Sequence, residues 1–503
     1  MAPKLPRPHS LEIRQPLAAA DAARVDALDA LIILLPESAL QKRWPEFVHY
    51  ERLKKRLPAG KETLSPTRVD LSNDRGTVAV TASYKPGSSA FELLTLARKC
   101  VAKVREAEAR HLGVLVPGAS ADEHSRLLDA VVSAVAASNF DPPQFKTSKD
   151  ETVHVESLTL FDGKQPLDFR RRLAEAEGNA LARWLTLLPA NYLTPTEYHA
   201  YAKELAKREG WKFEFLDERK LEDIGAGAFL AVSRGSDTRD AGIVHLSYRP
   251  AKLKKEARAV VLVGKGICYD TGGVNLKSDK SMFGMHGDMQ GSAVALGTLL
   301  TLTRLEVPFK VDAWLALARN QVGPKAYTQN EVVQSSLPHV TIEVTHTDAE
   351  GRMVLADTLA LSMSSDPEIV IDYATLTGAC VTALGTRYSG AFTPDRGLAK
   401  SVIAAGIDSG ERVWPFPVDA DYDEDLESSI ADTKQCVLET GRGDHILAAR
   451  FLSRFVPPTC PWIHIDLAAS EHKGGLAHVP TETTGFGVRF TLNLLLDQGL
   501  APK

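Results

Sequence analysis

Two glycine-punctuated clusters of charge set the strongest limit on how this chain can fold. Val263-Gly-Lys-Gly-Ile-Cys-Tyr-Asp-Thr-Gly-Gly273, continued by Lys277 and Asp288, carries one; Thr347-Asp-Ala-Glu-Gly-Arg352 carries the other. Together they hold four carboxylates (Asp270, Asp288, Asp348, Glu350), two lysines (Lys265, Lys277) and Arg352. Charged side chains are rarely buried unless they are paired or bind a metal. Hard oxygen ligands with a few cations among them suit a two-metal hydrolytic centre. A surface ion-pair network is the plainer reading, and it would serve for one Asp-x-Glu alone.

The spacing supports convergence. Residues 259–263 form an apolar run that reads as a buried strand delivering Gly264-Lys265-Gly266. Asp288 stands at the head of a small-residue helix over residues 291–300. Asp348 and Glu350 are two apart, so an extended segment would send both to one side. Nucleotide readings fail on residue identity. A dinucleotide fingerprint needs glycine where Tyr269 stands, and a phosphate loop needs Ser or Thr where Gly266 stands. A lysine acting as metal ligand must be neutral, which desolvation beside two cations can bring about.

The rest of the chain sets the frame. With 503 residues there is room for two or three domains. A net charge of -5 gives no general reason to expect nucleic acid as partner. Five scattered cysteines without C-x-x-C spacing fit a reducing cytoplasm. No segment approaches the ~20 apolar residues of a membrane span. Residues 31–35 and 112–116 read as strands and 90–109 as a helix. Ser120-Ala-Asp-Glu123 opens another helix as a capping box. A loop is expected over 139–151, and a helix over 169–188 that joins two halves. Strands over 309–318 and 368–373 and a helix over 354–363 complete the second half, and a basic stretch at 252–258 reads as a solvated face. The expected division is 1–165, a linking helix 166–188, and 189–503.

These residues resemble the leucyl (cytosol) aminopeptidase family, dinuclear metallopeptidases that remove N-terminal residues from peptides. The family hallmark Asn-Thr-Asp-Ala-Glu-Gly-Arg stands here as His346-Thr-Asp-Ala-Glu-Gly-Arg352, and the strand-end motif as Val263 to Gly273. Lys277 falls twelve residues past Lys265, and Asp288-Met-Gln-Gly291 matches Asp-Met-x-Gly. Ala374-Thr-Leu-Thr-Gly-Ala379, Gly410-Glu-Arg-Val-Trp414 and Thr484-Gly-Phe-Gly-Val-Arg489 match as well. The resemblance covers about residue 165 to the C-terminus.

It implies an α/β protein: a variable N-terminal α/β domain, then a larger catalytic domain with a mixed sheet flanked by helices. It implies two divalent ions, Mn or Zn, with Lys265, Asp270, Asp288 and Glu350 at one and Asp270, Asp348 and Glu350 at the other. Lys277 would polarise the scissile carbonyl, and Arg352 would help bind a bicarbonate-like anion. Met285, Thr375 and Gly378 would line the pocket for the first side chain. Substrates would be peptides with a free N-terminus, and the assembly a cytoplasmic homo-hexamer. A non-catalytic binding protein on the same scaffold, DNA-binding for instance, and a two-metal phosphoesterase are the alternatives. His346 for Asn, His286-Gly287 before Asp288, Arg319 before Asn320 and Asp444-His445-Ile446 for a small-residue stretch depart from the family pattern.

Overall fold

The computed structural model describes residues 3–16, 19–41, 44–57, 63–147, 152–251, 257–438 and 443–502. Most of the basic stretch at 252–258 and the end of the 139–151 loop lie outside them.

The protein is α/β, as the resemblance implies. Its first sheet has six strands in the spatial order Glu12–Arg14, Ser157–Leu160, His111–Leu115, Ala30–Pro36, Val78–Tyr84, Thr67–Asp70. All neighbours are parallel except the last pair. Helices Ala90–Arg105 and Ala121–Ser138 pack on it. Each is opened by a complete capping box, Ser89 with Glu92 and Ser120 with Glu123, which satisfies two otherwise orphaned backbone donors. The strands at 12–14, 67–70, 78–84 and 157–160 were not legible; of these the two edge strands, 12–14 and 67–70, are too short to carry a pattern.

A second sheet holds the charge clusters. Its order is Val413–Phe416, Ser389–Phe392, Trp462–Asp466, Pro367–Ala374, Ala259–Asp270, Lys310–Asn320, Gly242–Tyr248, Lys212–Asp217. The four middle strands are parallel and apolar on both faces, as doubly covered strands are. One face packs helices Arg170–Thr186 and Gln290–Arg304. Gly178 and Gly297 let these two cross almost backbone to backbone: a Cβ on either would lie 2.3–2.4 Å from the other's carbonyl oxygen. The other face packs Gly227–Ser233, Glu350–Ser362 and Asp444–Ser453.

Three local expectations are corrected. The strand expected to end near Val263 runs through the whole motif to Asp270. The helix expected from 354 begins at Glu350, inside the hallmark. Asp348 lies in a turn and Glu350 in the first helical turn, so the pair is not extended. Ala349 at the cap offers no side-chain acceptor, so the helix N-terminus presents bare backbone donors near the carboxylates.

Candidate metal centre

Lys265 and Asp270 share the Ala259–Asp270 strand but are five residues apart, an odd separation that an unbroken strand would split between its two faces. The ladder with Lys310–Asn320 shifts register here: Ile267 pairs with Ala318 and Asp270 with Asn320, leaving Cys268 and Tyr269 opposite Arg319 alone. One extra residue restores the parity and turns both side chains to the same face. Asp288 arrives from the turn before Gln290–Arg304. Asp348 and Glu350 arrive from the hallmark turn and helix.

Six of the seven predicted residues meet, and Arg352 turns to Asp444 instead. Lys265 Nζ is 2.8 Å from Asp288 Oδ1 and 2.8 Å from Glu350 Oε1. Lys277 Nζ is 2.9 Å from Asp270 Oδ2 and 2.6 Å from Asp348 Oδ1. Asp270, Asp288 and Glu350 each place an oxygen within 4.8 Å of the others, and all three are buried. Gly351 makes room: a Cβ there would sit 2.7 Å from Lys265 Nζ. Gly272, at φ +86°, folds the chain back so closely that a Cβ would meet Asn275 O at 2.5 Å.

Electrostatics mark the cluster as incomplete. Burial pushes the Asp288 carboxyl up, and the neighbouring Glu350 and Asp270 charges add to it, against the pull of Lys265. Glu350 and Asp348 are raised too, by burial first and by Asp270 next. Burial opposes the charge on Lys265, but Asp288, Glu350 and Asp270 hold it an ammonium; ligation would require loss of that proton. Among the described residues, Asp288 Oδ2 and Glu350 Oε2 are buried with no hydrogen-bond partner. Unpartnered buried carboxylate oxygens are costly. Cations would satisfy them, and the oxygen-rich donor set suits hard divalent ions.

A supporting layer escaped the sequence reading. Asn320 Nδ2 donates to Asp270 Oδ1 at 2.8 Å and to Thr347 O at 2.9 Å, tying the two clusters together. Thr347 N donates to Asn275 Oδ1, and Asn275 N to Thr347 Oγ1, both at 2.8 Å. Gln435 Nε2 donates to Ala349 O at 2.9 Å. Asn320 and Gln435 lie far from the clusters in sequence and carry no motif, and Asn275 inside the first cluster is one uncharged residue among charged ones. His346 accepts from Asp348 N at 3.2 Å through Nδ1, a bracing role for the hallmark turn.

Thr375, placed in a substrate pocket by the resemblance, also braces the centre: its hydroxyl donates to Asp288 Oδ1 at 2.8 Å, and its carbonyl accepts from Lys265 at 3.0 Å. Asp466 fixes that turn by accepting from Leu376 N and Thr377 Oγ1. Met285 is half-buried in the turn before Asp288, and Gly378 is exposed with open space where a Cβ would be.

Arg352 departs from expectation. Its Nη2 donates to both oxygens of Asp444, at 2.8 and 2.9 Å, and its Nη1 to Gln435 O at 3.2 Å. The place expected to hold a free anion is filled by a carboxylate of the chain, so bicarbonate does not fit against Arg352 as it stands. Among the described residues one further group could ligate an ion, His9, Asp141 and His154. There each histidine already meets a different oxygen of Asp141 through Nε2, at 2.7 and 2.9 Å.

Residues 180–492 match the cytosol aminopeptidase family, catalytic domain. A probable cytosol aminopeptidase of Wolbachia pipientis is 34% identical over 437 residues, 85% of each chain. One of Bordetella pertussis is 36% identical over 425 residues, 83% of each. A tomato leucine aminopeptidase mutant superposes with TM-score 0.85 at 27% identity, covering 99% of this chain and 98% of that one. The bottromycin maturation enzyme BotP in complex with Mn does so at 0.78 and 30%, covering 94% and 100%. The gathered carboxylates and these matches agree: the chain belongs to the cytosol aminopeptidase family of metal-dependent peptidases.

Proposed function

We propose that this chain releases N-terminal residues from peptides at a centre of two divalent ions, Mn or Zn. Lys265, Asp270, Asp288 and Glu350 would hold one ion, and Asp270, Asp348 and Glu350 the other. Bound there, such a pair lowers the pKa of a shared water and offsets negative charge developing on the substrate. The observation that carries the reading is the buried convergence of three carboxylates, Asp270, Asp288 and Glu350, in which Asp288 Oδ2 and Glu350 Oε2 have no hydrogen-bond partner among the described residues.

The remaining roles follow from position. The Lys277 ammonium lies at the edge of the cluster, 15% exposed, where it can reach a substrate carbonyl and donate to the oxygen as charge builds there. Met285, Thr375 and Gly378 bound the space for the first side chain, with Thr375 coupling that space to Asp288. Residues 1–165 form an N-terminal unit, 166–188 a link and 189–503 the catalytic unit, a division supported by sheets whose strands fall within 12–160 and 212–466. A cytoplasmic homo-hexamer is the assembly the family resemblance supports. No helix among the described residues is long and apolar enough to cross a membrane.

The test is turnover of an aminoacyl-p-nitroanilide with Mn²⁺ or Zn²⁺ after chelation. We expect metal-dependent release, and none from the N-acetylated substrate; equal release from both, or none under any ion, overturns the reading. Lys277→Ala should keep its metal and lose about 10²–10³-fold in kcat. An unchanged kcat would remove Lys277 from the mechanism.

A further inference from the structure

Charge balance at the centre leaves a remainder. Two divalent ions would match the four carboxylates, and Arg352 would still lie 3% exposed beside them with its own charge. A buried guanidinium without a counter-charge is costly, so an anion has to lie against it. The chain provides one. Asp444 opens the helix Asp444–Ser453 after Gly443, whose φ of 70° swings the chain round so that the carboxylate faces Arg352.

We propose that Asp444 is a built-in substitute for a dissolved oxyanion at Arg352, making this peptidase independent of bicarbonate. The inference rests on the aminopeptidase reading above. Guanidinium geometry supports it. An oxyanion binds arginine through paired donors, from Nε with Nη2 or from Nη1 with Nη2. Both pairings use Nη2, and among the described residues both Nη2 hydrogen bonds go to Asp444. Nη1 is further held by Gln435 O, and Nε is buried without a partner. A free anion would therefore have to displace Asp444.

Asp444 itself is 46% exposed, so its removal opens a path for a small anion rather than collapsing a core. It is a positioning residue that acts through Arg352. It neutralises the guanidinium and fixes its orientation two residues from Glu350, on the same helix. The acid at 444, a departure from the small-residue stretch of the family pattern, becomes a difference in cofactor requirement.

Steady-state kinetics in CO₂-depleted buffer, with Mn²⁺ supplied and bicarbonate titrated, test this. The wild type should run at full rate and respond by less than about twofold, while Asp444→Ala should lose about 10²-fold in kcat, the scale of one lost charge-stabilising group. Bicarbonate should restore much of that loss. It should also raise the melting temperature of Asp444→Ala and leave that of the wild type unchanged, a readout that does not depend on turnover.

Several-fold stimulation of the wild type by bicarbonate overturns the proposal. So does an Asp444→Ala variant that is as fast as wild type without bicarbonate, or slow and not rescued by it. If Asp444→Ala does not fold, the shape-preserving Asp444→Asn carries the test: a slow enzyme supports the proposal and a wild-type rate overturns it. Failure of the peptidase reading looks different, because no variant then turns over substrate while the melting shift still reports on the anion place.

Discussion

Two buried networks of charge in this molecule differ in how they are balanced. At the contact of the N-terminal sheet's helix with the second half, Arg489 donates to Glu175 Oε2 at 2.9 Å, to Asp129 Oδ2 at 3.3 Å and to Ser133 Oγ at 3.1 Å. Arg172 meets the same acids, at 2.6 and 2.8 Å, and Arg171 meets Glu175 at 3.0 Å and Asp497 at 2.7 Å. Every side-chain atom of Arg489, Glu175, Arg172 and Asp129 is partnered or wet. At the metal centre, Asp288 Oδ2 and Glu350 Oε2 have no partner among the described residues. The first network is closed by the chain itself and holds halves together. The second is closed only by something bound.

The sharpest break between them is expected from Asp348→Ala. It should abolish detectable turnover and bound metal together, read by elemental analysis, because the hallmark then offers one metal-facing carboxylate instead of two. Thermal stability should change little once metal is removed from both proteins. Normal metal content with a normal rate would place Asp348 outside the centre.

The contrast also shows what the sequence could and could not reveal. The six charged residues that converge were legible as a group, because glycine-punctuated charges clustered beside a buried strand have few structural uses. Their geometry was not. The bulge at Cys268 and Tyr269 decides whether Lys265 and Asp270 face each other, and nothing in an apolar run marks where a ladder will slip. Asn320 and Gln435 are neutral and distant from the clusters in sequence, so their role appears only when the strands align. The Arg489 network was invisible for the same reason: Arg489 and Asp129 are 360 residues apart. Asp444 stood out only as a departure from a family pattern, and its partner became known from the fold.

A smaller effect is expected from Glu175→Ala in the closed network. Glu175 is 4% exposed at its side chain and serves three arginines. Removing it leaves buried guanidinium groups unmatched and should cost about 3–5 kcal/mol of stability, the range for breaking a buried ion pair. Metal content and kcat measured well below the melting temperature should stay near wild type. Loss of metal in this variant would mean that the two networks are coupled and that the distinction drawn here fails.

The smallest effect sharpens the comparison at Glu411, beside Arg489. This buried acid belongs to the Gly410-Glu-Arg-Val-Trp414 motif, and its Oε2 accepts from Gly487 N at 3.0 Å and Phe490 N at 2.8 Å. Burial pushes its carboxyl up to about 7, although both backbone donors and Arg489 pull the other way. A carboxyl whose folded value lies above its unfolded value of 4.5 binds its proton more tightly in the folded state. The stabilisation is complete below that unfolded value and is lost as pH rises through about 7. Across that window it amounts to about 3 kcal/mol. Glu411→Gln keeps an oxygen for both backbone donors and cannot titrate. Melting curves from pH 5 to 8 should therefore show the wild type losing ground against Glu411→Gln as pH rises. A difference that stays flat across the range would mean that Glu411 is as ordinary an acid as the exposed ones, and that this network is closed by hydrogen bonds alone.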